Sequence, residues 1–147
     1  MNFKMKIKKL NENAVVPTYG TEFAAGADLY ACEDGEVVIA PGETKFIHTG
    51  IAMEIPSGYV GLIYARSGLS TKRGLAPANK VGVIDSDYRG EIMVALYNQS
   101  GVSQTIAGGE RIAQIVFTPY ATAEFEVACE LDGTARREGG FGSTGRG

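Results

Sequence analysis

The sequence has little of what metal centres, membranes and polyanion binders require. Its 147 residues include two cysteines and one histidine. Cys32 and Cys129 have no further cysteine or histidine at metal-ligand spacing, which argues against a zinc site. Both are expected to be free thiols, buried or half-buried, in a reducing compartment, and His48 is expected to be structural. No stretch approaches the ~20 apolar residues of a membrane-spanning helix, and Met1–Leu10, where lysines alternate with apolar residues, lacks the apolar run of a signal peptide. These absences point to a cytoplasmic protein with no membrane partner. Positive charge is not in excess either: the net charge is -3 and the pI about 5.2. Nothing in the whole-chain balance attracts nucleic acid, so an acidic ligand must be met by a local cluster of cations.

Helical periodicity is also scarce. The recurring period is two, beginning with Phe3, Met5 and Ile7 set against Lys4, Lys6 and Lys8. Short apolar runs follow at Glu36–Ile39, Phe46–Ile55, Tyr59–Tyr64, Ile92–Tyr97, Arg111–Phe117 and Phe125–Ala128, bounded by glycine, proline, aspartate or asparagine. Many short strands with turn signals between them predict an all-β fold, a jelly-roll-like β-barrel or sandwich. One short helix is predicted after Ser67, running through Leu69, Ser70, Thr71 and Lys72 to a closing glycine at Gly74. Ile84–Ile92 reads as a hairpin, with a strand ending at Asp85 and a turn through Ser86 and Asp87. From Gly133 onward the apolar period vanishes. Residues 1–130 are therefore read as the body of a single domain, and 131–147 as its flexible glycine-rich arm.

Four polar sites interrupt the strand pattern. Arg66, Ser67 and Gly68 combine a guanidinium, a hydroxyl and the free N–H groups of a helix start, which suits an anion; a capping serine beside a surface arginine is the plain alternative. Asp85, with Asp87 and Tyr88 beyond it, places a carboxylate at a strand rim where it can take a proton from water, although Asp-Ser-Asp is also ordinary turn chemistry. Asp28 can hold a hydrated magnesium through water or serve as a structural carboxylate, with Arg111 and Gln114 further along a strand. In the tail, Gly140, Gly142 and Gly145 satisfy G-x-G-x-x-G, but no strand precedes them and no room for a helix follows, so this is not a dinucleotide fingerprint. An arm carrying Arg136, Phe141, Gly142, Ser143 and Thr144 can instead close over a phosphorylated aromatic ligand, or be a disordered terminus.

Five segments in order, AGADLYA, ARSGLS, GVIDSDYRGEIM, ERIAQIVF and RREGGFGSTG, together resemble the five motifs of the homotrimeric dUTPase family, from Ala25 to Gly145. The resemblance implies hydrolysis of dUTP to dUMP and pyrophosphate by attack of water at the α-phosphorus, which keeps uracil out of DNA and supplies dUMP for thymidylate synthesis. It implies Asp85 as the base that activates the water, with a phosphate-chelated Mg2+ contacted by Asp28 through water. Arg66, Ser67, Gly68 and Gln114 would hold phosphate oxygens, and Arg136 the γ-phosphate. The backbone of Val83, Ile84, Asp85 and Met93 and the side chain of Asn79 would read uracil, with Gly82 leaving room. Tyr88 would pack under the deoxyribose and exclude a ribose hydroxyl, Phe141 would stack on the base, and Gly142, Ser143 and Thr144 would close with it. A homotrimer with sites shared between subunits also comes from the resemblance alone. Gly68, Ser70 and Arg137 depart from the family's usual residues, and of the three only Gly68 is among the residues assigned to the phosphates. The alternatives are a dCTP deaminase-like enzyme of the same fold, which needs a glutamate placed on the cytosine ring, and a non-catalytic nucleotide-binding β-module.

Overall fold

The structure is a computed structural model that describes residues 2–142 and 145. Twelve strands and one helix follow the chain: β1 Lys6–Lys9, β2 Thr18–Tyr19, β3 Ala27–Tyr30, β4 Glu36–Ile39, β5 Thr44–His48, β6 Ile51–Glu54, β7 Tyr59–Tyr64, α1 Ser67–Arg73, β8 Leu75–Pro77, β9 Gly82–Ile84, β10 Met93–Asn98, β11 Gln104–Ala107 and β12 Arg111–Pro119. They form a five-stranded sheet in the order β2-β3-β12-β7-β9, a three-stranded sheet β5-β10-β8 and two pairs, β1-β6 and β4-β11, all antiparallel. Alternation along these strands turns one side chain of each pair inward. The inward set, including Leu29, Ile39, Ile47, Ile51, Leu75, Leu96, Ile106, Ile112 and Ile115, is fully buried in one cluster, each side chain contributing roughly 1.5–3 kcal/mol.

Asn98 is the one fully buried amide among the core strands. Its Nδ2 donates to the carbonyls of Ile39 (2.9 Å) and Val102 (2.8 Å), and its Oδ1 accepts from Ser100 N–H (2.9 Å) and Ser100 hydroxyl (2.7 Å). A buried amide with every group satisfied ties the end of β10 to β4 without a desolvation penalty left over.

The short helix forms, but Ser67 is its first residue and Arg66 its cap position, with no side-chain cap bond. Gly74 closes it in the left-handed conformation, φ 68°, as a glycine there allows. The long run Phe46–Ile55 is two strands in two different sheets, β5 and β6, broken at Thr49 and Gly50. The expected hairpin is not one. β9 pairs with β7 in the five-stranded sheet, while β10 pairs with β5 and β8, so residues 85–92 form a corner that carries the chain between sheets. The run Phe125–Ala128 forms no strand. After Pro119 no helix or strand is found among the described residues, and Phe125, Val127 and Leu131 are exposed. Cys32 is half-buried as expected, but Cys129 is exposed, because it lies on this uncovered stretch.

Candidate active site

Adjacent strands set Asp28, Gln114 and Tyr64 side by side. In register, Gln114 of β12 faces Asp28 of β3 on one flank and Tyr64 of β7 on the other. The chain then leaves β7 through Ala65 to Arg66, which turns back to the row: its Nε donates to Asp28 Oδ1 at 2.9 Å. Arg111 Nη1 reaches the second oxygen, Oδ2, at 3.4 Å. Two guanidinium groups around one carboxylate leave a surplus positive charge. Gln114 Nε2 donates to the Ala65 carbonyl at 2.9 Å, which fixes its amide beside the start of α1, where Ser67 and Gly68 are exposed. Gly26 makes this possible: an added Cβ would collide with Gln114 Oε1 and stand 3.0 Å from its Cδ. Gly26 was missed as a contributor, since its place inside AGADLYA gives no hint of the amide lying over it; Arg111 pairs with the Asp28 carboxylate.

The second cluster is the corner. Tyr88 N–H donates to the Asp85 carbonyl at 3.2 Å, closing a turn, and Asp85 itself is exposed. The Tyr88 hydroxyl donates to the Glu91 carbonyl at 2.8 Å. Gly82 is buried, and a Cβ there would stand 3.2 Å from Ile63 Cβ and 3.5 Å from Asn79 Nδ2, so the missing side chain lets the Asn79 amide approach β9. Val83 and Met93 present exposed apolar surface at 61% and 40%, unusual for strand residues next to a core and open to a flat ligand. Ile84 is half-buried between them.

The tail is the third piece. Arg136 Nε donates to the Gly139 carbonyl at 2.7 Å, curling the tail on itself. Phe141 is fully exposed and, like Gly142, has a positive φ, 48° and 89°. Ser143 and Thr144 lie outside the described residues.

The three pieces do not meet within one chain. Ile84 pairs with Gly61 at one end of β7 and Gln114 with Tyr64 at the other. Asp85 lies one residue beyond Ile84, level with Val60, and the anion cluster is level with Tyr64, so the base candidate and the cluster stand roughly 13 Å apart along the strand direction, too far to touch within one chain. Two cavities of the surface fit that picture. One of about 830 Å³ lies between Phe3, Met5, Val16 and Phe117, another of about 530 Å³ beside Lys4, Lys6, Asp87 and Arg89, and neither includes Asp85, Arg66 or Gln114.

Among the described residues no group of three or more histidine, cysteine or acidic side chains converges as a protein-held metal site would, and no helix is long and apolar enough to cross a membrane. Both Asp28 oxygens face arginines, which suits contact with a metal through water rather than direct ligation. Near the corner, His48 has its pKa raised by a hydrogen bond with Glu91, and the Cys32 thiol is pushed up by burial and then by Asp34, Glu91 and Glu33. Cys32 is accordingly a poor nucleophile.

The sequence model of the dUTPase family matches residues 12–145. This chain belongs to the dUTPase family. Relatives named deoxyuridine 5'-triphosphate nucleotidohydrolase include one from Nautilia profundicola, 52% identical over 143 residues and covering 97% of this chain and 99% of the relative, and one from Syntrophotalea carbinolica, 47% identical over 141 residues and covering 96% of each. Among solved structures, a mutant of the Staphylococcus bacteriophage 80alpha dUTPase with dUpNHpp superimposes with a TM-score of 0.90 at 31% identity, covering 99% of this chain and 100% of that one. A mutant dUTPase from phage phi11 of S. aureus, described for its coordination of a structural Mg(II) ion, gives 0.79 at 28% identity over 88% of this chain and 99% of its own. The dUTPase jelly roll is thus the fold of this chain, although its sheets do not close into a barrel. The family match leaves the deaminase and the non-catalytic module without support.

Proposed function

We propose that this protein hydrolyses dUTP to dUMP and pyrophosphate, removing a precursor of uracil in DNA and supplying dUMP for thymidylate synthesis. The observation that carries the reading is the division of family motifs into two well-formed clusters at opposite ends of β7, a cationic row at Asp28, Gln114 and Arg66 and an exposed carboxylate corner at Asp85. Each cluster is half of a triphosphate hydrolase. They work together when the corner of one copy meets the cationic row of another, which supports a homotrimer with shared sites. The uncovered Phe125, Val127 and Leu131 also call for a neighbouring chain.

In this assembly the Val83, Ile84, Asp85 and Met93 backbone and the Asn79 amide satisfy the uracil edge. Cytosine presents the wrong donor pattern and thymine an extra methyl. The Tyr88 ring lies under the sugar, where a ribose hydroxyl would collide. Arg66, Ser67, Gly68 and Gln114 hold phosphate oxygens by charge-assisted and amide hydrogen bonds. Asp85 accepts a proton from water as its oxygen bonds to the α-phosphorus; the bond from that phosphorus to the bridging oxygen breaks, and pyrophosphate leaves. Asp28 would hold a Mg2+ ion through water, and the ion, when bound, would supply charge neutralisation for the transfer. The 131–147 arm closes last, with Arg136 at the γ-phosphate, Phe141 over the base and Gly142, Ser143 and Thr144 along the phosphates. A cytoplasmic setting, where deoxynucleotides are made, fits this chemistry.

Pyrophosphate release from dUTP, dTTP, dCTP and UTP, with and without magnesium, tests the reading. Release from dUTP alone, dependent on magnesium, is expected. Release from none of the four would leave a nucleotide-binding fold without the activity.

A further inference from the structure

The corner that carries Asp85 and Tyr88 is fastened to the turn between β5 and β6. Glu91 Oε1 accepts the Gly50 N–H at 2.9 Å, and Glu91 Oε2 pairs with His48 Nδ1 at 2.9 Å. The Thr49 hydroxyl donates to the Ile92 carbonyl, and Ile92 N–H donates to the Ile51 carbonyl at 2.8 Å. Four consecutive residues of one turn thus hold two consecutive residues of the corner. Both carboxylate oxygens of Glu91 are committed to this grip, while its carbonyl accepts the Tyr88 hydroxyl. The ring reaches that carbonyl only because it passes over Gly90, where a Cβ would stand 2.6 Å from Tyr88 Cζ. The position of the ring is therefore set through Gly90 and Glu91, and the position of the Glu91 carboxylate by Gly50 and His48.

We propose that Glu91 is a positioning residue for the sugar-reading ring of Tyr88, and that His48, by gripping Glu91, makes the choice of deoxyribose over ribose depend on pH. This rests on the reading of Tyr88 given above. Two acidic groups face His48: Glu91 from the corner, and Glu33 from the loop after β3, whose Oε1 accepts the His48 backbone N–H at 2.8 Å. The bond to Glu91 raises the histidine's pKa, burial lowers it, and the charges of Glu91 and Glu33 raise it further. The imidazolium grips Glu91 by a charge-assisted bond, and the neutral ring more weakly. Selectivity is accordingly greatest on the acid side and declines as pH rises through the titration of His48.

The test compares kcat/KM for dUTP and for UTP between pH 5.5 and 9; their ratio cancels changes in the chemical step that both substrates share. Full-length protein labelled with 3-fluorotyrosine reports the ring directly, its Tyr88 resonance assigned by loss in Tyr88→Phe. In the natural sequence the ratio should fall by about two- to threefold across the His48 titration, a modest change because His48 is half exposed, and the Tyr88 resonance should move in step. Glu91→Gln keeps the shape and the Gly50 bond, and should remove the pH step from both readouts while leaving kcat on dUTP within about twofold, the residual effect expected of one neutral hydrogen bond. Gly90→Ala should displace the resonance and lower the ratio by about five- to tenfold at every pH, as loss of an orienting hydrogen bond would. An unchanged resonance and ratio in Glu91→Gln and Gly90→Ala would overturn the proposal, all the more clearly if Tyr88→Ala does lose selectivity. If Tyr88→Ala keeps full selectivity, the sugar reading itself fails and the selectivity half of the proposal falls with it; a pH-linked resonance would still establish Glu91 as the residue that places the ring.

Discussion

At the Tyr64 end of β7 the polar side chains are already bonded to one another, whereas at the Gly61 end the Asp85 carboxylate and the apolar wall beside it stand open. Asp28 holds Arg66 and Arg111, and Gln114 is tied to Ala65; Asp85, Val83 and Met93 face solvent. The difference follows from what each end must meet. Phosphate oxygens are strongly hydrated anions, and cations held in place beforehand lose less entropy in replacing that water. A flat base and an attacking water need an open wall with unspent backbone groups, and the Asp85 corner presents an exposed one. The tail goes furthest in this direction, its Phe141 touching nothing.

If the open end carries the chemistry, its loss should be the most costly. Asp85→Asn should lower kcat by about 10²–10⁴, the usual worth of a general base, with an unchanged melting temperature because the side chain is exposed; calorimetry beside the pyrophosphate assay checks both. Ending the chain at Leu131 should leave the fold and assembly intact and abolish most turnover, and full activity in the shortened protein would remove the arm from the site. At the bonded end, Gly26→Ala should push Gln114 off the Ala65 carbonyl. A KM for dUTP higher by about five- to tenfold, with kcat nearly kept, is what one lost hydrogen bond predicts. The smallest effect belongs to the His48–Glu91 pair. Its raised pKa means that the stabilisation is present below about pH 6.5, the ordinary value for histidine, and is lost as pH rises through the higher value in the folded state. With the histidine half exposed, the shift in melting temperature between natural protein and His48→Gln should be small and confined to the acid side.

Where a strand carries its own alternation, the sequence is easily read: β4 and β7 fall on the expected residues, and β10 and β12 within two. Partnership is harder. Asp85, Ser86 and Asp87 announce that the chain turns, but a turn signal does not say whether the next strand returns to the same sheet, and here β10 joins another. The alternation of Phe125 and Val127 with Glu124 and Glu126 is a strand pattern, yet no strand forms there. Strands such as β8 and β11 were missed for a different reason: their segments, LAP and QTIA, contain no run of large apolar residues to mark them. The candidate site residues were named from their motifs, whereas Gly26, Gly90 and Glu91 sit against another side chain, and such links appear only once strands and turns are placed in register.

The central claim is that one copy's Asp85 corner serves another copy's cationic row, and complementation tests it most directly. Asp85→Asn and Arg66→Ala chains, each nearly inactive alone, are co-assembled in equal amounts and assayed for pyrophosphate release from dUTP. Random mixing in a closed ring pairs an intact corner with an intact row in about one site in four, so recovery of about a quarter of the natural activity is the expected result. Mixed assemblies that remain as inactive as their parents would contradict the account and place both residues of each site in a single chain.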